Sequence, residues 1–372
     1  MRIGIIGLGR AGAVHLEASR VAPDMEVGAV CDPSPAARRA AAAGGIASYA
    51  DVETMLETER LDAVTICAPP GDHAPLAIKC LERGLHVLCE KPLAPTTSDA
   101  AEMFAVARHH GRMLVVASKF RHVPEVQLAR ELLQSGELGE PVSFGITFCS
   151  PVDMSGRWNA ERTRSGGGVI IDNGCHAFDI VYFLFGSVTR VHSTLLKPVQ
   201  HLPVEDSATV RIWAGEGVIG TADLSWSWST GRDTYLTVQG TRGILEVGWH
   251  GARLKLDAQA WRDVGRAYDK LDAHRRMHAH FKDIVANGKE PWIKPAECVR
   301  IVGVVEAAYR SLHSGSWDRP RVREEHRGAA SADEPSNGQR LSASAGPGFD
   351  SRIADVAGDP PVDIVAAARA RR

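Results

Sequence analysis

The chain has 372 residues and a formal charge of −2, from 43 Lys and Arg against 45 Asp and Glu. That balance supplies no clustered basic footprint for nucleic acid or for an anionic membrane surface, and small molecules are the expected partners. The length exceeds the ~250 to 300 residues at which single cores stop growing and predicts more than one domain, while no run of 18 or more apolar residues is present to span a bilayer.

Residues 3–7, 25–31, 63–68, 86–90 and 113–117 are short runs rich in Val and Ile, separated by Ala-rich stretches of helical periodicity. Runs apolar on both faces, such as Ala63 to Cys67, fit strands of a parallel sheet covered by helices on each side, in a first domain spanning residues 1–120. Pro124 to Ser135 reads as a helix closing at Gly136, and residues 171–185 as a second that ends at Gly186. Residues 141–149, 188–196, 207–213, 217–229, 233–240 and 243–248 read as strands joined by glycine-containing turns without intervening helices. With helices near 274–287 and 295–313 they predict an α+β second domain with a mainly antiparallel sheet over residues 121–326.

Leu224, Trp226 and Trp228 alternate with serines, so both tryptophans are expected in the core or at a subunit interface. His274, His278 and His280 have no carboxylate or cysteine at ligand spacing and read as a solvated helix face, so no metal is expected. Residues 327–372 shift to Ala, Ser, Gly, Pro and charge, the composition of a disordered tail, with a short helix at Val362 to Arg372 as the alternative. The seven cysteines are scattered without CxxC spacing, and no export signal opens the chain, so reduced thiols in the cytoplasm are expected.

Gly7-Leu8-Gly9-Arg10-Ala11-Gly12 follows a strand and opens a helix. Glycines there give a tight turn, close backbone approach to a pyrophosphate, and helix–strand packing, with unpaired N–H groups at the helix start facing the phosphates. Asp32, twenty positions after Gly12, ends the next strand, where a carboxylate accepts both ribose hydroxyls and repels a 2′-phosphate. NAD is favoured, and NADP stays open because Arg38 and Arg39 lie nearby.

Ligands of open α/β sheets bind beyond the carboxyl ends of the strands. Glu90-Lys91-Pro92 sits at such an end, where the Lys91 ammonium can stabilise charge on a substrate oxygen. Asp172 and His176, four apart on a helix, share one face, so the carboxylate can orient an imidazole that takes a hydroxyl proton near its natural pKa. The plainer alternative is a carboxylate answering the helix dipole and a core histidine, and Asp179 can bind the imidazole instead or form a structural pair. Gly166 to Gly168 would let the preceding loop approach cofactor or substrate. Arg157, Trp158, Arg162 and Arg164 lie just upstream; facing the pocket, the arginines would favour a carboxylate- or phosphate-bearing substrate, a nucleotide sugar included.

These stretches resemble the Gfo/Idh/MocA family, the glucose-fructose oxidoreductase and inositol dehydrogenase group, over about residues 1–320. The resemblance rests on Gly7-x-Gly9-x-x-Gly12, Ala68-Pro69-Pro70-x-x-His73, Gly84 to Leu93, Ser135 to Gly139, and Gly166 to Asp172-x-Gly174-x-His176-x-x-Asp179. It implies a Rossmann domain, a second domain whose open sheet packs in a homo-oligomer (dimer or tetramer), and hydride transfer to or from sugars, cyclitols and related polyols. It implies Lys91, Asp172 and His176 as the catalytic group, adds Pro69, His73, Glu90 and Lys91 to the cofactor contacts, and adds Arg121 to the substrate contacts. Asn173 and His122 depart from the usual pattern and bear on substrate selection. Two rival readings keep the fold: a glycosidase acting by transient oxidation with tightly held NAD, and a non-catalytic NAD-binding regulator. Retention of Lys91 with the Asp172/His176 pair argues against the regulator.

Overall fold

Six short apolar segments line up in parallel because each crossover helix carries the chain back over a sheet face before the next strand begins. They are β1 (Arg2–Ile6), α1 (Arg10–Val21), β2 (Glu26–Cys31), α2 (Pro35–Ala43), β3 (Ala47–Tyr49), α3 (Val52–Thr58), β4 (Ala63–Ile66), α4 (Pro70–Glu82), β5 (His86–Cys89), α5 (Thr97–His109) and β6 (Leu114–Val116). The computed structural model describes residues 1–321. The strand order is β3-β2-β1-β4-β5-β6, so the chain reverses direction across the sheet between β1 and β4, and a crevice opens at their carboxyl ends. Helix starts are fixed locally: the side chains of Ser34, Asp51 and Thr96 accept the N–H groups of Ala37, Thr54 and Asp99.

After a 3-10 turn at Lys119–His122 come α6 (Pro124–Gln134), β7 (Pro141–Cys149), α7 (Arg162–Ser165), α8 (Val169–Phe185), β8 (Val188–Leu195), β9 (Ser207–Ala214) and β10 (Val218–Ser225). They are followed by β11 (Thr234–Gly240), β12 (Gly243–Gly248), β13 (Ala252–Leu256), β14 (Arg262–Asp263), α9 (Lys270–Asn287) and α10 (Pro295–Ser314). The second sheet runs β14-β13-β12-β11-β7-β10-β9-β8, antiparallel throughout except where β7 meets β10. Its core face is covered by α8, whose Val169, Ile170, Phe178, Ile180 and Val181 are fully buried. Each such side chain contributes about 1.5–3 kcal/mol, so the helix that carries Asp172 and His176 is firmly seated. The stretch Arg162–Phe185 is apolar and long enough to cross a bilayer by composition, but 67% of that window is buried inside the protein.

Two expectations need correction. The strand over 217–229 stops at Ser225, after which Trp226 turns into the interior and Trp228 stays partly exposed. Helix α9 packs on α1, where Met277, Phe281 and Ile284 join Ile3, Ile5 and Val30 in one core. In consequence His274, His278 and His280 are buried, not solvated: α9 has a second neighbour that its own sequence does not disclose. All seven cysteines are free thiols. The tail reading for residues 327–372, and the helix at 362–372, lie outside the described residues.

Candidate active site

The carboxyl ends of β1, β4, β5 and β6 face a cleft of ≈ 1030 Å³ whose far wall comes from α8 and the second sheet. Lys91 lies two residues past the end of β5, and Asp172 lies in the first turn of α8. The Lys91 Nζ donates to Asp172 Oδ1 at 2.7 Å and to the Asp172 carbonyl at 2.9 Å. Burial pulls the Lys91 pKa down, but the charges of Asp172 and Glu90 and the hydrogen bond to Asp172 together prevail and hold the ammonium above the ordinary lysine value. His176 lines the same cleft one turn further along α8. Its ring is flanked by Phe120 and Phe148, and among the described residues no side chain hydrogen-bonds to it.

That arrangement corrects two sequence expectations. Asp172 serves the lysine and not the imidazole, because the ammonium reaches it from β5 while the His176 ring sits among aromatic edges. His176 is not near its natural pKa: burial first, then the charges of Lys91 and Lys119, push it well below 6.5, so the ring is neutral.

At the other end of the cleft, Gly9, Arg10 and Ala11 line the wall at the start of α1, whose N-terminus has no side-chain cap. Gly7 adopts φ +90°, and a Cβ on Gly12 would lie 1.9 Å from the Gly7 carbonyl oxygen, so both glycines are dictated by the turn. A Cβ on Gly9 would meet nothing within 4 Å, because that residue faces the open cleft. Asp32 accepts the N–H of Leu8 at 2.6 Å and of Ser34 at 2.8 Å, which fixes its carboxylate at the end of β2. Arg38 is tied to the carbonyls of Asp32 and Pro33 at 2.7 and 2.8 Å.

Glu90 is nearly buried; one oxygen receives His15 Nε2 at 2.8 Å and the other the Lys91 N–H at 2.9 Å. Burial pushes its pKa up, but His15 and Lys91 prevail and hold it below the usual carboxylate range. Behind it, His15 Nδ1 lies 2.8 Å from His278 Nε2. His15, Glu90 and His274 place one ligand atom each within 4.8 Å of one another, so these three are the described residues able to hold a cation. The carboxylate companion missing from the histidines' own sequence neighbourhood is supplied by β5.

Several expected contacts are structural. Arg121 is 2% exposed and donates to Asp179 at 2.8 Å, Glu297 at 2.9 Å and the Trp292 carbonyl at 2.6 Å, which takes it out of the substrate set and makes Asp179 its partner. His73 is fully buried, its ring nitrogens 2.9 Å from the Pro92 carbonyl and 2.8 Å from the Ala68 carbonyl, so it staples two cleft loops without lining the cleft. Pro69 caps α4, and Cys67 and Ala68 form the wall there. The Gly166 to Gly168 run answers packing: a Cβ on Gly167 would strike the Tyr309 hydroxyl at 1.9 Å and one on Gly168 the Glu205 carbonyl at 2.0 Å. His122 is buried against Trp292, with ring centroids 4.7 Å apart, whereas Asn173 does line the cleft. Arg157, Trp158 and Arg164 also line it; Arg162 points to a separate groove.

The family description "Oxidoreductase family, NAD-binding Rossmann fold" matches residues 1–118, and "GFO/IDH/MocA C-terminal domain" matches residues 126–246. The chain belongs to the Gfo/Idh/MocA oxidoreductase family. It is 30% identical over 331 residues to a D-apiose dehydrogenase of Paraburkholderia graminis, covering 84% of this chain and 87% of that one. Over 324 residues it is 29% identical to D-xylose 1-dehydrogenase (NADP(+)) 2 of Haloferax volcanii, covering 85% and 98%. In fold it is similar to a levoglucosan dehydrogenase solved with NADH and levoglucosan, with a TM-score of 0.78 at 22% identity and 87% and 99% coverage.

The residues present fit the family's dinucleotide. The cradle that a Cβ would fill at Gly7 and Gly12, the open face at Gly9 and the uncapped start of α1 suit a pyrophosphate, and Asp32 keeps acceptor capacity for ribose hydroxyls. Sequence reasoning missed Lys119, Phe120, Phe148, Arg232, Trp249, Lys270 and the cleft-lining role of His274. Lys119 was within reach, since it follows β6 as Lys91 follows β5.

Proposed function

We propose that this protein moves hydride between a nicotinamide cofactor and a secondary alcohol or ketone of a sugar, cyclitol or sugar derivative at the Lys91–His176 end of the cleft. The observation that carries the reading is the Lys91 ammonium fixed 2.7 Å from Asp172 in the same cleft as a neutral, unclaimed His176. Bound NAD, or NADP, supplies the hydride acceptor or donor. Lys91 donates a hydrogen bond to the substrate oxygen and stabilises its developing negative charge, and Asp172 keeps that ammonium charged and aimed. His176, whose ring nitrogens have no partner among the described residues, accepts the hydroxyl proton during oxidation and returns it during reduction. Phe120 and Phe148 flank the imidazole in the cleft wall. Asp32 favours NAD by accepting hydroxyls and repelling a 2′-phosphate.

The seven free thiols support a cytoplasmic setting. The face of the second sheet away from α8, with Ile219 37% exposed, supports packing against a second copy. The test is a nicotinamide absorbance screen with inositols, aldoses, uronates, nucleotide sugars and an aryl glycoside, run on wild type, Lys91→Met and His176→Ala. Sustained NADH formation lost in both variants is expected. Aryl-glycoside cleavage with catalytic NAD would shift the reading to the glycosidase, and binding without turnover to the regulator.

A further inference from the structure

The charges of the cleft do not balance. All three carboxylates that line it are engaged, Asp172 by Lys91, Glu90 by His15 and Glu161 by Arg164. Lys119, Arg157, Arg232 and Lys270 line it too, and among the described residues none of them has a carboxylate within salt-bridge distance. Exposure to water accounts for Arg232 and Lys270. It does not account for Lys119, which is half-buried after β6, its ammonium making no hydrogen bond among the described residues and having only the Phe120 ring at 5.2 Å.

We propose that the substrate carries an anionic group, a carboxylate or a phosphate, that is held by the Lys119 ammonium, with Arg157 lining the same cleft. The inference rests on the dehydrogenase reading and names its substrate class. Desolvating an ammonium without a partner is unfavourable, and a ligand anion is the group that offsets it. Lys91 is not the group for this contact, because its charge is already answered by Asp172 and the dehydrogenase reading gives its remaining donor to the reacting oxygen. Burial and the neighbouring Lys91 charge pull Lys119 down to about 8, so the side chain is charged at neutral pH and gains further from an incoming anion.

The experiment compares D-glucose, D-glucuronate and D-glucose 6-phosphate as ligands of the enzyme–NADH complex, for wild type, Lys119→Met and Lys119→Arg, with Kd from nicotinamide fluorescence. A charge-assisted contact predicts that wild type binds one of the two anions roughly 10- to 100-fold more tightly than glucose. Lys119→Met loses that preference and Lys119→Arg retains most of it; which anion is favoured separates carboxylate from phosphate. Equal affinity for all three ligands, failure of both anions to bind, or the same preference in Lys119→Met overturns the proposal. Turnover of neutral polyols without charge preference leaves the dehydrogenase reading intact while this one falls. Anion preference in binding without hydride transfer from any polyol does the reverse.

Discussion

Replacing Asp172 with Asn tests which group the carboxylate serves. The pair lies 2.7 Å apart with side chains 18% and 26% exposed, and an effective dielectric of ~20 gives a bare attraction of about 6 kcal/mol at that distance. Desolvation and partial exposure remove much of this, and Asn keeps an acceptor for the ammonium, so the net loss expected is about 2–3 kcal/mol. If it falls on the transition state, kcat/KM drops about 30- to 150-fold. The assay is single-turnover NADH formation in a double-mutant cycle. In a Lys91→Met background Asp172→Asn should cost little more, because its partner is gone, whereas in a His176→Ala background it should retain its full effect. The opposite pattern, masking by His176→Ala and additivity with Lys91→Met, would restore the carboxylate–imidazole pairing and refute the geometry described above.

Gly12→Ala places a methyl 1.9 Å from the Gly7 oxygen and should cost at least about 3 kcal/mol, seen as a lower Tm with loss of NADH binding. Gly9→Ala meets nothing and should leave Tm unchanged while weakening NADH binding alone. Arg121→Met strands Asp179 and Glu297 and should destabilise by about 3–5 kcal/mol at neutral pH, measured by denaturant unfolding. Burial already raises the Asp179 pKa, and a carboxylate raised in the folded state gives stability present at low pH and lost as pH rises through its folded pKa, so the deficit should shrink on acidification. Because His176 is held well below 6.5, the oxidation profile of kcat/KM should show no acid limb near that pH; a limb there that vanishes in His176→Ala would contradict the neutral imidazole.

The parallel sheet was readable because strands such as Ala63–Ile66 are apolar on both faces, and most of the second sheet because its strands alternate between glycine turns. The strands β3 and β14 left no pattern, three and two residues being too short for a period to show, whereas Ala252–Leu256 of β13 alternates apolar and polar residues and was passed over. The glycine loop, Lys91 and the Asp172/His176 turn were legible as local motifs. Their pairing was not, since Lys91 and Asp172 are 81 residues apart and only the seating of α8 brings the amine to the carboxylate before the imidazole can claim it. Arg121, His73 and the three-glycine run sit inside motifs that look functional, yet they act by stapling loops, filling a buried charge network and admitting Tyr309 and Glu205. The buried histidines of α9 misled for the same reason: His15 of α1, which meets His278, and Glu90, which gathers with His15 and His274, come from the other end of the chain.

Deuterium transfer from a carbon-labelled polyol to the nicotinamide ring, followed by mass spectrometry of the cofactor in wild type and Lys91→Met, tests the catalytic assignment most directly. The account predicts label on the nicotinamide with wild type and almost none with Lys91→Met, although both proteins bind NADH equally. Equal labelling by the two proteins would contradict it, as would a wild type that binds NADH and takes label from none of the polyols.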